Sequence, residues 1–205
     1  MRVLSGAARG IELKTVPDME TRPILDRLKK SLFSILDAAG LLCECRVLDL
    51  YSGTGTLGIE ALSRGASFCI FVERRPEAVK LLHENLTRTR LATLAEVRKG
   101  DVGAVLRILQ REREHALQAG NGPSAPPDFS PYQLILYDPP FAFSSEASTR
   151  KILEAELAVA GQLLAPSGRL VWRAEKKTAP PQPEGLTLAR HWTDGPHALG
   201  FYARG

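Results

Sequence analysis

Cysteine is scarce in this chain: Cys43, Cys45 and Cys69 are the only three among 205 residues. Three thiols do not make a disulfide framework. Cys43 and Cys45 flank a single residue, no distant Cys/His pair completes a zinc site, and Cys69 lies in an apolar run. Reduced thiols and no metal centre are expected. Long apolar runs are missing too. Nothing approaches the ~20 residues that cross a bilayer, and the opening MRVLSGAARGIELK has no apolar segment of the signal-peptide kind. The expectation is a cytoplasmic protein. No internal repeat is visible. Neither sign of charge dominates: the net charge is +4 and the pI about 9.1. That mild basic excess is compatible with nucleic acid without pointing to it.

A hydrophobic content of 44% is enough for a sizeable core, and the length is within reach of one domain. The chain is organised around residues 47–73, VLDLYSGTGTLGIEALSRGASFCIFVE. An apolar run (Val47, Leu48, Leu50) leads into a glycine loop. An amphipathic stretch follows, with Leu57, Ile59, Ala61 and Leu62 apolar and Glu60 and Arg64 polar. Gly65 stops it, and a second apolar run ends in Glu73. The pattern predicts strand, loop, helix, strand. Gly53, Gly55 and Gly58 spell G-x-G-x-x-G, and Glu73 lies about 20 residues past the first glycine, which also fits the dinucleotide fingerprint. Asp49 weighs against a dinucleotide. It stands at the tip of the first strand, where a carboxylate repels pyrophosphate but attracts the ammonium and sulfonium of S-adenosylmethionine.

Taken in order, residues 2–16 read as a short hairpin with polar ends Arg2, Arg9 and Lys14, and residues 17–23 as a loop. A helix is expected over 24–39, its stripe made by Leu25, Leu28, Leu32, Ile35 and Leu36, with Arg27, Lys29 and Lys30 off the stripe. Pro76 suits the first turn of a helix. His83 reads as a surface or packing histidine. Residues 94–98 make a third strand, and Asp101 suits a helix N-cap, a role that does not exclude contact with adenine. The helix after it runs to about Leu117. Residues 118–131, QAGNGPSAPPDFSP, carry four prolines and read as a surface insertion. A strand over 133–137, a helix over 148–163, a strand over 168–174 and an antiparallel pair over 186–192 and 198–203 complete the series. This alternation predicts a doubly wound, mostly parallel α/β sheet with an antiparallel edge. Residues 1–23 form an N-terminal extension, and 24–205 the domain.

Asp138-Pro139-Pro140-Phe141 leaves a strand at the same carboxyl edge as the glycine loop. Two prolines make a rigid, projecting turn. Asp138 supplies an acceptor, the Pro139 carbonyl another, and Phe141 a flat apolar face. An exocyclic amine on a nucleobase needs such a site, because its lone pair is delocalised into the ring. Acceptors gripping its N–H bonds favour a pyramidal nitrogen, and a stacked ring holds an extruded base in line with the methyl group. Asp138 also serves as a route for the released proton.

On GAARGIEL, TRPILDRLKKSLFSIL, LDLYSGTGTLGIEALSRGA, FVE and LILYDPPF, the sequence resembles the RsmD family of bacterial 16S rRNA guanine-N2 methyltransferases. The resemblance covers nearly the whole chain. It implies a Rossmann-like class I fold and methyl transfer from S-adenosylmethionine to the N2 amine of one guanine, in an assembled or assembling small subunit. It implies that Asp49, Gly53 and Gly55 hold the methionine end, that Glu73 holds the ribose and that Asp101 lies near adenine. Ser52, Leu57 and Val102 complete the cofactor set. Asp138, Pro139, Pro140 and Phe141 form the base pocket. Arg2, Arg9, Arg22, Arg27 and Lys30 meet RNA, or Arg22 closes over the cofactor. A monomer is expected. Tyr51-Ser52 departs from the family's usual Phe followed by Ala or Ser, and the 118–131 insertion is longer than usual. Two other enzyme readings compete: a methyltransferase for another planar amine (adenine N6, cytosine N4 or protein glutamine), and a nicotinamide-dependent oxidoreductase, against which Asp49 counts. A non-catalytic RNA-binding module would have no need of Asp138.

Overall fold

The computed structural model describes residues 1–16, 26–119, 130–140, 143 and 147–205. Its strands are β1 Arg46–Leu50, β2 Phe68–Glu73, β3 Ala95–Lys99, β4 Tyr132–Tyr137, β5 Leu164–Glu175, β6 Leu186–Asp194 and β7 His197–Arg204. Its helices are α1 Asp26–Ala38, α2 Thr56–Ser63, α3 Pro76–Thr89, α4 Val102–Ala119 and α5 Ala147–Leu163. The strands form one sheet in the order β3-β2-β1-β4-β5-β7-β6. The first five are parallel, and β7 runs antiparallel between β5 and β6. The terminal antiparallel pair forms as expected, and it joins the sheet through its second member, β7, which lies between β5 and β6.

Alternation along the parallel strands explains the two layers. Val47, Phe71, Leu134 and Leu136 face a cluster with the apolar residues of α1, α2 and α3. Leu48, Leu50, Ile70, Val72, Ile135 and Tyr137 face the other cluster, closed by Val105, Leu106 and Leu109 of α4 and Leu153 and Leu157 of α5. Strands buried on both faces read as continuous apolar runs, as β1, β2 and β4 do.

The N-terminal hairpin exists, with a bridge between Arg2 and Glu12, and it belongs to the core: Val3, Ala8 and Leu13 join the first cluster. Gly6 makes this possible. Its φ is +82°, and a Cβ there would lie 1.6 Å from the Ser63 carbonyl oxygen.

Two polar residues assigned to helix surfaces are buried instead. Lys29 is wholly buried; its Nζ donates to the Arg2 carbonyl at 2.6 Å and lies 3.4 Å from Glu60. Glu60, on α2, is also fully buried and accepts from the Leu4 and Ser5 N–H groups and from Arg64 Nε. The hairpin covers both, so α1 meets protein at Lys29, where solvent was expected, while Arg27 and Lys30 stay exposed. Fifth-strand pairing begins earlier than expected, at Leu164, with a register shift opposite Tyr132 and Leu134. Leu25 and most of the 118–131 insertion lie outside the described residues.

Candidate active site

Three carboxylates converge at the carboxyl ends of β1, β2 and β4. Asp49 extends β1 toward the first turn of α2. Its Oδ2 accepts the Gly58 N–H at 2.9 Å, so it caps the helix from a neighbouring strand. The helix needs this, because Gly55 at the N-cap position has no side chain to offer. The other oxygen, Oδ1, is buried and has no hydrogen-bond donor among the described residues. Burial pushes the Asp49 carboxyl up to about 8, the Gly58 N–H pulls it back in part, and the Asp138 and Glu73 charges add to the rise. A buried acceptor lacking a donor, in a site with no ion-pair partner for it among the described residues, is complementary to a small cation.

The three glycines have different reasons. Gly53 has a φ of +56°, and above it lies open space apart from Arg75 Nη2 at 3.8 Å. Gly55 has a φ of +83°, a backbone that favours glycine. Gly58 has ordinary helical geometry; a Cβ there would lie 2.3 Å from the Phe71 ring and 2.8 Å from Cys69 Sγ. The first two shape the loop, and the third lets α2 lie close on β2. Ser52 stitches the loop to the sheet, its N–H and hydroxyl both donating to the Val72 carbonyl. Asn85, buried on α3, donates to the Thr54 carbonyl and exchanges two hydrogen bonds with the Lys14 backbone. It ties the hairpin to the glycine loop.

Glu73 accepts the Gly53 N–H on Oε2 at 2.9 Å, and the Arg74 and Arg75 N–H groups on Oε1. The Arg75 guanidinium also bridges both oxygens. Asp101 is the N-cap of α4, accepting the Ala104 N–H at 3.3 Å. The side chains of Leu57 and Val102 are buried in the two core clusters. What they present at the edge is backbone at a helix start.

Asp138 follows β4 on the same sheet face as Leu136 and Asp49. Its Oδ1 is held by Arg173 Nε of β5 in an ion pair almost wholly shielded from water. Oδ2 has no donor among the described residues. Pro139 is buried, and the Pro140 carbonyl accepts the Phe143 N–H. Phe141 and Arg22 lie outside the described residues.

On the opposite face Tyr51, whose φ is +61°, is held in the left-handed region that non-glycine residues seldom adopt. Its hydroxyl donates to Glu156 Oε2 at 2.8 Å, beside Tyr137, which donates to the same atom at 2.6 Å. Its ring packs edge-on against Tyr137 and near Phe143. Burial and the Glu156 charge push both tyrosines well above their ordinary range, so both hydroxyls stay protonated as donors.

Arg2, Arg9, Arg27 and Lys30 are exposed, though Arg27 is engaged by Asp194 at 2.6 Å. His83 is exposed. Among the described residues no group of three or more His, Cys, Asp or Glu could hold a metal, and no helix is long and apolar enough to cross a membrane. Sequence reading missed Arg173, Asn85 and Glu156. Each acts across elements distant in sequence, and none carries a local motif.

The sheet order and the edge it builds define the class: a Rossmann-like S-adenosylmethionine-dependent methyltransferase fold. An RNA methyltransferase from Salinibacter ruber, solved with S-adenosyl-L-homocysteine, shares that fold with a TM-score of 0.54 at 17% identity, over 88% of this chain and 92% of that one. The family model described as Conserved hypothetical protein 95 matches residues 1–203, and the chain belongs to this family of RsmD-like methyltransferases. It is 32% identical to YlbH of Bacillus subtilis, over 100% of this chain and 99% of the relative. It is 29% identical to the ribosomal RNA small subunit methyltransferase D of Haemophilus influenzae, over 95% of this chain and 89% of the relative. A Thermus thermophilus hypothetical protein of solved structure superposes with a TM-score of 0.74 at 29% identity, covering 98% of both chains.

Proposed function

We propose that the protein methylates small-subunit ribosomal RNA, with the exocyclic N2 amine of one guanine in 16S rRNA as acceptor and S-adenosylmethionine as donor. The observation that carries the reading is the pair of carboxylates on one sheet face: Asp49 with a buried Oδ1, and Asp138 with its Oδ2, neither meeting a hydrogen-bond donor among the described residues. The first suits the cofactor's ammonium, the second an amine N–H. The names of the relatives, rRNA small subunit methyltransferase D among them, support the substrate class.

In this reading Asp49 Oδ1, Ser52, Gly53 and Gly55 hold the methionine end. The backbone at Leu57 and Val102 borders the cofactor, and Asp101 meets adenine while still capping α4. Glu73 takes the ribose hydroxyls once the Arg75 guanidinium moves off its oxygens; the three backbone donors remain to fix the carboxylate. Bound S-adenosylmethionine supplies a methyl group on a positively charged sulfur. Asp138 Oδ2 and the Pro139 carbonyl accept the amine N–H bonds and expose the nitrogen lone pair. Pro140 stiffens the turn, and Phe141 stacks on the flipped base. As the new C–N bond forms and the C–S bond breaks, the nitrogen sheds one proton to Asp138 Oδ2 and from there to water. Arg2, Arg9, Arg22, Arg27 and Lys30 contact RNA phosphate. The substrate is the assembled or assembling subunit.

The test is transfer of labelled methyl to small subunits lacking the modification, to free rRNA and to duplex DNA, with nucleoside digestion of the product. N2-methylguanosine from the subunit is the expected result. N6-methyladenine or N4-methylcytosine in DNA would replace this reading with that of a DNA enzyme.

A further inference from the structure

The carboxylate that opens the Asp138 turn is held from a neighbouring strand. Asp138 stands one residue past the end of β4, where its own N–H donates to the Leu50 carbonyl at 3.3 Å. A carboxylate at such a point can rotate and offer either oxygen, or both, to a ligand. In this protein it cannot, because β5 places a cation beside it. Tyr137 pairs with Trp172, so Arg173 lies at the next register position, level with Asp138. Val171 belongs to the first core cluster and Trp172 to the second, which puts Arg173 on the Asp138 face. The Arg173 side chain is 6% exposed and that of Asp138 14%. Arg173 is fixed in turn by pairing of β5 with β7, where it stands opposite Leu199.

We propose that Arg173 is a positioning residue for Asp138, and through it for the acceptor amine. This rests on the reading of Asp138 given above and deepens it. Arg173 Nε occupies Oδ1 and leaves Oδ2 as the sole acceptor, in one orientation. An aspartate holding both amine hydrogens in a bidentate grip would leave the Pro139 carbonyl without a role. With Oδ1 taken, one hydrogen goes to Oδ2 and the other to the backbone turn, which fixes the rotation of the amine about its C–N bond. A strongly hydrated lysine ammonium makes a poorer clamp than the planar guanidinium fork.

The test measures kcat, KM for the small subunit and the Kd of S-adenosylhomocysteine for the wild type, Arg173→Met, Arg173→Lys, Asp138→Ala and the double variant Asp138→Ala/Arg173→Met. Loss of alignment at the reacting centre is expected to lower kcat of Arg173→Met about 100-fold. Cofactor affinity and subunit KM should stay within about threefold. Arg173→Lys should recover about a tenth of the wild-type rate. Since Arg173 acts through Asp138, the double variant should be no slower than Asp138→Ala alone. A kcat within twofold of wild type in Arg173→Met, or a multiplicative loss in the double variant, overturns the proposal. If Arg173→Met does not accumulate as folded protein, Arg173→Lys decides: lowered kcat with intact cofactor affinity supports the clamp, and unchanged kcat sinks it. Failure of the wild type to form N2-methylguanosine on any RNA would overturn the reaction reading, an outcome separate from all of these.

Discussion

At the scale of single residues the site is governed by how each carboxylate is satisfied. Glu73 is surrounded by donors, Asp138 is held on one side, and Asp49 keeps a buried oxygen with no donor among the described residues. Asp49 therefore holds a proton in the ligand-free protein near neutral pH, with its carboxyl pushed up to about 8 from an ordinary 3.8. The native state binds this proton and the unfolded chain does not, so the contribution to stability falls as pH rises from about 4 toward 8. If Asp49 meets the cofactor's α-ammonium, which is still charged at pH 6.5, it should ionise as the cofactor binds. Titration calorimetry in buffers of different ionisation enthalpy should record release of up to about one proton per cofactor at pH 6.5, fading above pH 8. Asp49→Asn should abolish the release and weaken binding at least tenfold. Equal proton release in both proteins would remove Asp49 from contact with the ammonium.

At the scale of elements, α2 is the piece on which the others are set. Its start is capped by Asp49, its side rests on β2 through Gly58, and its end holds the hairpin through Glu60 and Ser63. Gly58→Ala pushes a methyl into the Phe71 ring, an overpacking that costs about 1–3 kcal/mol; chemical denaturation should show it as a lower midpoint with unchanged slope. Glu60→Ala leaves the Lys29 charge and the Leu4 and Ser5 N–H groups without that carboxylate. Breaking a buried pair in this way costs about 3–5 kcal/mol, and amide exchange at Leu4 and Ser5 should quicken ahead of global unfolding. Exchange that stays slow there would mean the hairpin is held by its apolar residues alone. These elements also show what was legible beforehand. The β1-loop-α2-β2 unit and the Asp138 turn could be read because their signals are local: periodicity, glycines at fixed offsets, an acid at a strand tip. Glu60 and Lys29 could not, since their burial depends on a hairpin that arrives from residues 2–5. Arg173 sat inside an ordinary apolar strand run, and its role depends on a neighbour 35 residues earlier. Leu57 and Val102 stand at helix starts, and their side chains fill the core, a burial that the local pattern did not announce.

At the scale of the whole molecule, the charge that would meet RNA is spread over the hairpin and α1. A small net charge of +4 makes binding depend on local clusters. If Arg2, Arg9 and Lys30 contact phosphate, replacing any one with alanine should reduce the slope of log K against log salt by about 1 while leaving the methylated nucleoside unchanged. Arg27→Ala should do less, because that guanidinium must first leave Asp194. A slope unchanged in all four variants would shift the RNA contact to another surface.

The position of β7 between β5 and β6 has a consequence in time. During synthesis β1 to β5 emerge in the order in which a parallel sheet can grow, and α1 to α5 can cover its faces as they appear. The outer edge of β5 has no neighbour until residues 197–204 arrive. An uncovered edge is a template for pairing with other chains, and it is the strand that carries Arg173. The bracing of Arg173 by β7 is thus one of the last steps of the chain's own making. If Arg173 orients Asp138 as proposed, a nascent chain should be inactive, and open to stray strand pairing, until its sheet has been closed from the far side.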